Sequence, residues 1–327
     1  MESISAIILR AFDLKCLNTV KHKSSFICKT DKGRMCVLRA PQDTAQIWFR
    51  YHVKEHLHRC GFTGVERLCL SAMGTPFASY DGETFVVMPH LGHREASFAD
   101  ADEWRQIVRT TAQMHFLCRD IDFADGSFCA ASNPHVRGRA DADALNGYKR
   151  RILKKGKYSE FDLLFLRTFD ENMAALSQWL KATATPAFTT LLNEAQTQHF
   201  VCHNSLKEEN ILVAPDGTVS IRNFAECAPG HFLFDLAALV KRYMKSLPAV
   251  PVPLDEVLDI YHRENPLCDD ALAFLRAALI FPDKYIKLCA QYYDRNRTWT
   301  PGAFISRMEE LARGMSTAKG YLQNGFL

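Results

Sequence analysis

The stretch of residues 199–224 constrains the fold more than any other part of this sequence. It begins with an apolar segment at 200–202, which is followed by a polar loop at 203–210. Two short apolar runs then lie on either side of a Pro-Asp-Gly turn at 215–217, and the second run alternates with polar residues as a half-buried strand does. The pattern predicts a strand, a loop and then a hairpin at 211–224.

The polar positions of this loop and hairpin have the spacing of a phosphotransfer site. In kinases the loop motif is H-x-D-x-x-x-x-N and the hairpin ends in D-F-G. The first Asp accepts the proton of the substrate hydroxyl, the Asn binds magnesium, and the last Asp bridges magnesium to the nucleotide phosphates. His203 and Asn210 keep their places here, whereas Ser205 stands at the general-base position and Asn223 stands at the position of the last Asp.

Both replacements remove a carboxylate that phosphoryl transfer uses. A serine hydroxyl is far too weakly basic at about pH 7 to take a proton by itself. An asparagine amide offers a neutral oxygen where hard divalent cations prefer a charged carboxylate. A short pattern with two mismatches can also arise in an ordinary loop, so the rest of the chain has to decide between the two interpretations.

The first 88 residues carry most of the other strand signals. Two pairs of strand-like runs are each separated by a turn that contains Gly, which is typical of hairpins. These runs are 25–30, 34–39, 76–80 and 84–88. Residues 44–60, between the two hairpins, have helical periodicity. We therefore expect a small lobe at 1–88 that contains an antiparallel sheet and one long helix, followed by a hinge at 89–92.

Three residues of this part are candidates for a nucleotide cleft. Arg39 stands where the third strand of a kinase presents a lysine to the phosphates, and Glu55 on the 44–60 helix is its candidate partner. Met88 leads into the hinge. Arginine keeps the charge of that lysine but not its geometry, because a planar guanidinium does not substitute freely for a compact ammonium.

The same helix contains His52, Glu55 and His56, which match the inverted zinc-peptidase motif H-x-x-E-H. Chance matches to so short a motif are common, and nothing downstream clearly supplies a third ligand. Zinc binding is therefore the weaker interpretation of these residues.

The remainder of the chain is rich in helical patterns and contains one pair of hairpin strands. We expect a mainly helical lobe at 93–327 that carries the degenerate catalytic loop 203–210 and the hairpin 211–224. Residues 122–147 are polar and small, which indicates a loop or insertion. The basic run at 149–157 is typical of a solvated helix face, and the alternative is binding to phosphate, RNA or an anionic partner.

This order of elements predicts an α+β protein with the bilobal fold of protein kinases, a small antiparallel-sheet lobe before a mainly helical one. The net charge of +3 is too small to indicate a nucleic-acid partner. No apolar run is long enough to span a membrane, the start lacks the basic region of a signal peptide, and the eleven cysteines occur without zinc spacing. We therefore expect a cytoplasmic protein with reduced thiols and no membrane association.

With the whole order in view, the chain resembles the bacterial spore-coat kinase-like family called CotS, which is similar to aminoglycoside and choline phosphotransferases. The resemblance covers nearly the full length. Besides the central motif, it rests on Gly61-Phe62, Phe161 to Leu166, Phe234 to Ala237, Phe281-Pro282, Gln291 to Tyr293 and Trp299. The resemblance implies that Asp235 braces the catalytic loop and that Asn210 is a magnesium ligand, whereas Arg39, Ser205 and Asn223 depart from an active kinase.

Our first hypothesis from the resemblance is a pseudokinase with a structural or scaffolding role in the spore coat. It needs no cofactor or metal, its partners are other spore-coat proteins, and the protein is deposited on the coat. The alternative is an active phosphotransferase that uses ATP and magnesium, with Glu208, Glu209 or Glu226 in place of a lost aspartate. Any bound metal would then have Asn210, Asn223 and Glu226 as ligands. A third hypothesis is a regulatory module that holds a small ligand in the old nucleotide cleft.

Overall fold

Contacts divide the chain into two units in the computed structural model. The structure describes residues 3–22, 25–40, 43–123, 133–245, 247–248, 250–294 and 300–323. Within these, the first unit comprises residues up to 123 together with 198–230, and the second comprises 133–197 together with 231–323. The first unit therefore extends past residue 88 and includes the loop and hairpin of the central motif. The predicted lobe boundary at 89–92 stays a prediction.

The first unit is built on a five-stranded antiparallel sheet. Its helices and strands in chain order are α1 (Ile4–Arg10), β1 (Cys16–His22), β2 (Ser25–Thr30), β3 (Gly33–Arg39), α2 (Thr44–Arg59), β4 (Ala78–Tyr80) and β5 (Glu83–Pro89). The strand order is β1-β2-β3-β5-β4, so both predicted hairpins form within one sheet. At the β4–β5 turn Asp81 and Gly82 both have positive φ, as tight two-residue hairpin turns require.

The two faces of this sheet bury different residues because strand side chains alternate between faces. Met35 and Val37 of β3 lie in an apolar cluster with Ile8 and Leu9 of α1. Cys36 and Leu38, on the opposite face of β3, pack against a second cluster, which includes Ile47 of α2. Each side of β3 therefore has its own apolar partner helix.

Short strands carry the central motif in the same unit. They are β6 (Arg94–Glu95), β7 (Val201–Cys202), β8 (Ile211–Val213), β9 (Val219–Ile221) and β10 (Ala228–Pro229). β8 and β9 form the predicted antiparallel hairpin, β6 pairs with β8, and β7 pairs with β10. The helix α3 (Ala101–Leu117) is capped by Asp100, whose carboxylate accepts hydrogen bonds from the backbone N–H groups of Asp102 and Glu103 in the first turn.

All regular secondary structure in the described part of the second unit is helical. Its helices are α4 (Pro134–Leu153), α5 (Glu160–Thr183), α6 (Pro186–Thr197), α7 (Leu233–Lys245), α8 (Leu254–Glu264), α9 (Asp269–Ile280), α10 (Asp283–Tyr293) and α11 (Pro301–Gln323). A short break at residues 184–185 separates α5 from α6. No helix in the described ranges is long and apolar enough to cross a membrane.

The loop predicted at 122–147 is wrong over its second half, because α4 begins at Pro134. The Asn133 side chain accepts a hydrogen bond from the backbone N–H of His135, and proline at the first helical position costs no hydrogen bond. These start signals outweigh the polar composition of the segment. Residues 124–132 of the predicted loop lie outside the described residues.

Three of the six basic residues at 149–157 form ion pairs with acidic residues of the same unit. Lys149 lies 3.1 Å from Asp170, Arg151 lies 3.2 Å from Asp294, and Lys155 lies 2.7 Å from Asp162. Paired charges of this kind are typical of a solvated helix face and of its cap.

Candidate functional site in the first unit

The first unit contains a cavity of about 330 Å³ beside the central motif. Its walls come from β3 and α2, from residues 88–93 at the end of β5 and just beyond it, from residues 209–212 and 222–224, and from residues 22, 25 and 66. A volume of this size is at the lower end of the range for small-molecule sites. Each of these walls belongs to the unit that carries the degenerate catalytic loop.

His203 holds the polar loop against the hairpin. Its Nε2–H donates to the backbone carbonyl of Arg222 at 2.9 Å, and its Nδ1 accepts from the backbone N–H of Ser205 at 3.2 Å. The ring packs edge-on against Phe224, with 4.6 Å between the ring centroids, and the residue is buried. Both nitrogens are engaged in backbone contacts, so the imidazole positions the loop.

Ser205, Asn210 and Asn223 form one hydrogen-bonded chain. The Asn210 Nδ2 donates to the Ser205 carbonyl at 2.9 Å and to the Ser205 hydroxyl at 3.1 Å. The Asn223 Nδ2 donates to Asn210 Oδ1 at 3.2 Å. The amide oxygen that would bind magnesium in an active kinase therefore accepts a hydrogen bond from the residue that replaces the second metal ligand.

The two metal positions of the kinase motif offer a divalent cation few of the ligands that it prefers. Among the described residues, no cluster of three or more His, Cys, Asp or Glu side chains could hold a metal ion. The residues at the two metal positions, Asn210 and Asn223, present amides without negative charge. Their own hydrogen bond satisfies part of the polar surface that a cation would otherwise use.

The structure brings some of the predicted site residues together and separates others. Met88, Asn210 and Asn223 line the cavity. Ser205 is adjacent through its bonds to Asn210. Asp235 lies buried in the first turn of α7, in the second unit, and its role as a brace of the catalytic loop stays a prediction.

The predicted pairing of Arg39 with Glu55 is wrong. Arg39 is exposed, and its guanidinium donates to Glu83 at 2.6 Å. The carboxylate of Glu55 accepts from Arg67 at 2.7 Å. In the β3–β5 register Arg39 lies opposite Phe85, whose side chain belongs to the apolar cluster that includes Ile8 and Leu9 of α1.

Arg39 does not line the cavity because side chains alternate between the two faces of a strand. Cys36 and Leu38 are the β3 side chains that line the cavity, so Arg39, one position further, lies on the other face of the sheet. The two β3 residues that line the cavity are apolar, so β3 contributes no cation to the cavity wall.

The three glutamates considered as substitutes for the lost aspartates have different positions. Glu209 lines the cavity, and its carboxylate forms an ion pair with Lys207. Glu208 accepts a hydrogen bond from the backbone N–H of Phe98 at 3.1 Å, and Glu226 is exposed. Among these glutamates, only Glu209 is a candidate to act in the cavity.

The zinc interpretation of α2 also finds no support. His56 Nε2 lies 2.9 Å from the backbone carbonyl of Leu117, and burial lowers the pKa of this imidazole. The ring of His52 stacks against Trp48. Glu55 is engaged with Arg67, so these side chains do not converge on one point.

Sequence reasoning missed the charged residues that α2 and the following segment supply. Arg50, Lys54 and Glu66 line the cavity and are nearly completely buried. The Lys54 ammonium donates to Glu66 at 2.9 Å, and the backbone N–H of Asn223 donates to the same carboxylate oxygen at 3.0 Å. Burial lowers the pKa of Lys54, and the Glu66 carboxylate opposes that effect.

A signal for these residues was present in the helix itself. Arg50 and Lys54 fall between Ile47, Val53 and Leu57, which form the buried face of α2. Charged residues within an apolar stripe are seldom buried without a partner or a function. The backbone carbonyl of Gly64 accepts from Ile221 at 2.7 Å, which aligns the Glu66 segment with the hairpin.

Sequence and structure comparisons agree on the class of protein. The family model described as "Spore coat putative kinase YutH" matches residues 5–324. No curated protein matches the sequence significantly. Many solved structures share the fold, and their similarity extends over nearly all of this chain.

An aminoglycoside phosphotransferase from Alicyclobacillus acidocaldarius is 16% identical, with a TM-score of 0.84 over 99% of this chain and 95% of that one. A spectinomycin phosphotransferase, solved with ADP and spectinomycin, is 10% identical, with a TM-score of 0.64 over 98% of this chain and 99% of that one. A microcompartment-associated aminopropanol kinase is 15% identical, with a TM-score of 0.61 over 98% of this chain and 97% of that one.

At these identities the likeness establishes the fold and not the activity. The antiparallel sheet near the start and the helical remainder are those of aminoglycoside phosphotransferases, which confirms the predicted kinase-like fold class.

Proposed function

The chain belongs to the spore-coat kinase family YutH, and from this premise we propose that it is a kinase-fold protein without phosphotransferase activity that has a structural role in the spore coat. Its partners on this proposal are other coat proteins. It requires neither ATP nor magnesium, because the role rests on the folded surface and not on turnover.

One observation carries the proposal, namely the hydrogen-bonded chain of Ser205, Asn210 and Asn223. This hydrogen-bonded chain has no carboxylate at either the general-base or the metal position. The side-chain amide of Asn223 donates instead to the amide oxygen of Asn210. Loss of both carboxylates is expected to cost several kcal/mol of transition-state stabilisation, and each 1.4 kcal/mol is about a factor of ten in rate. Catalysis by the usual route therefore has no support from these residues.

The alternative is a phosphotransferase that uses ATP and magnesium through Glu209. The observation in its favour is that Glu209 lines the cavity next to Asn210. Its carboxylate would have to leave Lys207 before it could accept a proton or bind a metal. Glu208 and Glu226 are weaker candidates, since neither lines the cavity.

Phosphate release from ATP separates these functions. We expect no release by the wild-type protein above the buffer rate with either magnesium or manganese, whatever hydroxyl-bearing acceptor is added. Release that is lost in Glu209→Gln and kept in Glu226→Gln would refute the proposal and favour the alternative. The Gln variants keep the side-chain size and remove only the charge.

The structural role requires a separate test in a spore-forming bacterium. We expect the wild-type protein and an Asn210→Ala variant to be recovered in equal amounts from the coat fraction of purified spores. Absence of the wild-type protein from that fraction would contradict the structural role. Selective loss of the Asn210→Ala variant, at normal expression, would show that coat deposition depends on the loop.

A further inference from the structure

The cavity of the first unit is lined by a buried guanidinium, two of whose nitrogen atoms lack hydrogen-bond partners within the described part of the chain. Arg50 is 3% exposed and lines the cavity. Its Nε and Nη2 atoms have no hydrogen-bond partner among the described residues. Burial lowers the pKa of Arg50, yet a guanidinium remains protonated in proteins, so the charge persists. Donors of this kind are rarely left unused in a folded protein.

Lys54 lies one helical turn after Arg50 on the same face of α2. Glu66 offsets one of these two cations through its 2.9 Å contact with the Lys54 ammonium. The remaining charged side chains of the cavity wall are Arg222 and Glu209. Apart from its histidines, the wall therefore has one positive charge in excess, and this excess lies around Arg50 and Lys54, which share the single carboxylate of Glu66.

The geometry of arginine narrows the class of ligand. Its planar fork of N–H donors matches two oxygens of a phosphate or carboxylate, and such charge-assisted pairs are stronger than neutral hydrogen bonds. A phosphate group also accepts additional bonds from neighbouring donors. The ligand cannot depend on a metal bridge of the usual kind, because Asn210 and Asn223 offer no carboxylate to a divalent cation.

We propose that this cavity binds a small phosphorylated anion directly, through the guanidinium of Arg50 and the neighbouring ammonium of Lys54, without a divalent cation. The cations of α2 thus stand in place of both the magnesium ion and the β3 lysine of an active kinase. The site is independent of the proposed coat role and of catalysis, since it needs neither a general base nor a leaving group.

The test is calorimetric titration of the full chain with pyrophosphate in buffer that contains a chelator. We expect binding by the wild-type protein that weakens as sodium chloride is added. We expect Arg50→Met to weaken it by about tenfold or more, because one bidentate charged contact is lost. Arg59→Met is the matched control, since Arg59 is an exposed arginine on the same helix and does not line the cavity.

A second measurement does not depend on the choice of ligand. Replacing an unpaired buried charge by an apolar side chain of similar length often stabilises the folded protein. We therefore expect Arg50→Met to melt at a higher temperature than the wild type in anion-free buffer. Pyrophosphate should narrow this difference by stabilising only the wild type. A lower melting temperature of folded Arg50→Met in the absence of anion would contradict an unpaired charge.

ADP and adenosine distinguish two sources of the phosphate. Tighter binding of ADP than of pyrophosphate in the chelator would assign the phosphate to a nucleotide, and equal binding would assign it to a free anion; both outcomes support the site. The proposal is overturned if pyrophosphate and ADP fail to bind, if they bind only with magnesium, or if Arg50→Met binds them as tightly as the wild type. Phosphate release from ATP, which tests the proposed function, is unaffected by these outcomes.

Discussion

Asn223 shows how a single replacement changes the chemistry of the loop without changing its backbone. It adopts the left-handed conformation, with φ of 62°, which asparagine and aspartate tolerate better than other non-glycine residues. Its backbone N–H donates to Glu66 and its side chain donates to Asn210. An aspartate would fit the same backbone, but it could not donate to Asn210. The side-chain amide of Asn223 thus contributes a hydrogen bond to the loop that a carboxylate could not donate.

We predict that Ser205→Asp combined with Asn223→Asp restores binding of manganese. The change adds two carboxylates around the Asn210 oxygen, which hard divalent cations prefer. Ser205 is 9% exposed, so a new charge there loses water and lowers the free energy of unfolding by about 1–3 kcal/mol in metal-free buffer. Titration with manganese, followed by thermal melting, measures both effects.

The matched control is Ser205→Asn in the wild-type background, which adds side-chain volume at the same place without charge. It should not bind manganese. Failure of the double aspartate variant to bind manganese while it remains folded would mean that the loop has lost the geometry of a metal site as well as the charge.

Helix α5 shows how a local capping signal is coupled to distant parts of its unit. Ser159 and Asp162 form a capping box at its start. The buried Asp162 carboxylate also accepts from Lys155 at 2.7 Å and from the Tyr293 hydroxyl at 3.0 Å. Burial alone would raise the pKa of Asp162, but these hydrogen bonds outweigh it and lower the pKa. One carboxylate therefore joins α5 to the end of α4 and to α10.

We predict that Asp162→Asn lowers the free energy of unfolding by about 2 kcal/mol at neutral pH, because it removes a charged acceptor from three donors. The folded pKa of Asp162 lies below its unfolded value of about 3.9. The stabilisation is therefore fully present above that unfolded value and is lost as pH falls through the folded pKa. Urea unfolding at several pH values measures the difference between the two proteins.

Asp170→Asn on the same helix is the control. Asp170 is 89% exposed and pairs with Lys149 at the surface, so its replacement should change stability little at any pH. A constant difference between Asp162→Asn and the wild type down to the lowest pH measured would contradict the assigned origin of the stabilisation.

The whole chain retains a phosphotransferase fold although the two catalytic carboxylates are absent. The likeness to the Alicyclobacillus acidocaldarius aminoglycoside phosphotransferase extends over 99% of the chain at only 16% identity. A fold of this size depends on buried apolar positions and turns, and these tolerate changes in a few polar residues of a cavity wall. The persistence of the fold therefore says nothing about turnover, and nucleotide binding has to be measured separately.

We predict that ATP with magnesium raises the melting temperature little or not at all. A ligand present at its dissociation constant stabilises the folded state by only about 0.4 kcal/mol. We expect magnesium-bound ATP to bind no tighter than about this at millimolar concentration, because its phosphates are already paired with the metal and Asn210 and Asn223 offer that metal no carboxylate. Differential scanning fluorimetry with and without a chelator measures the shift. A clear shift that disappears when the chelator is added would show a working magnesium site and would favour the active alternative.

The sequence alone determined the elements whose signals are local. The hairpins follow from turn residues between alternating runs, and the loop 203–210 follows from its polar residues between apolar segments. The spacing of His203, Asn210 and Asn223 placed these residues near one another, because a loop and a two-stranded hairpin leave little freedom between them. The capping residue Asn133 is also a local signal for the start of α4, although the polar composition of the segment favoured a loop.

Only the tertiary structure decided which charged residues face the cavity. Arg39 lies on the other face because side chains alternate along β3, and a shift of one residue exchanges the faces. The pairing of Lys54 with Glu66, and the absence of a partner for two donors of Arg50 within the described residues, depend on how α2 packs beside the hairpin. No local pattern encodes that packing, since it joins residues that are distant in the sequence through buried contacts.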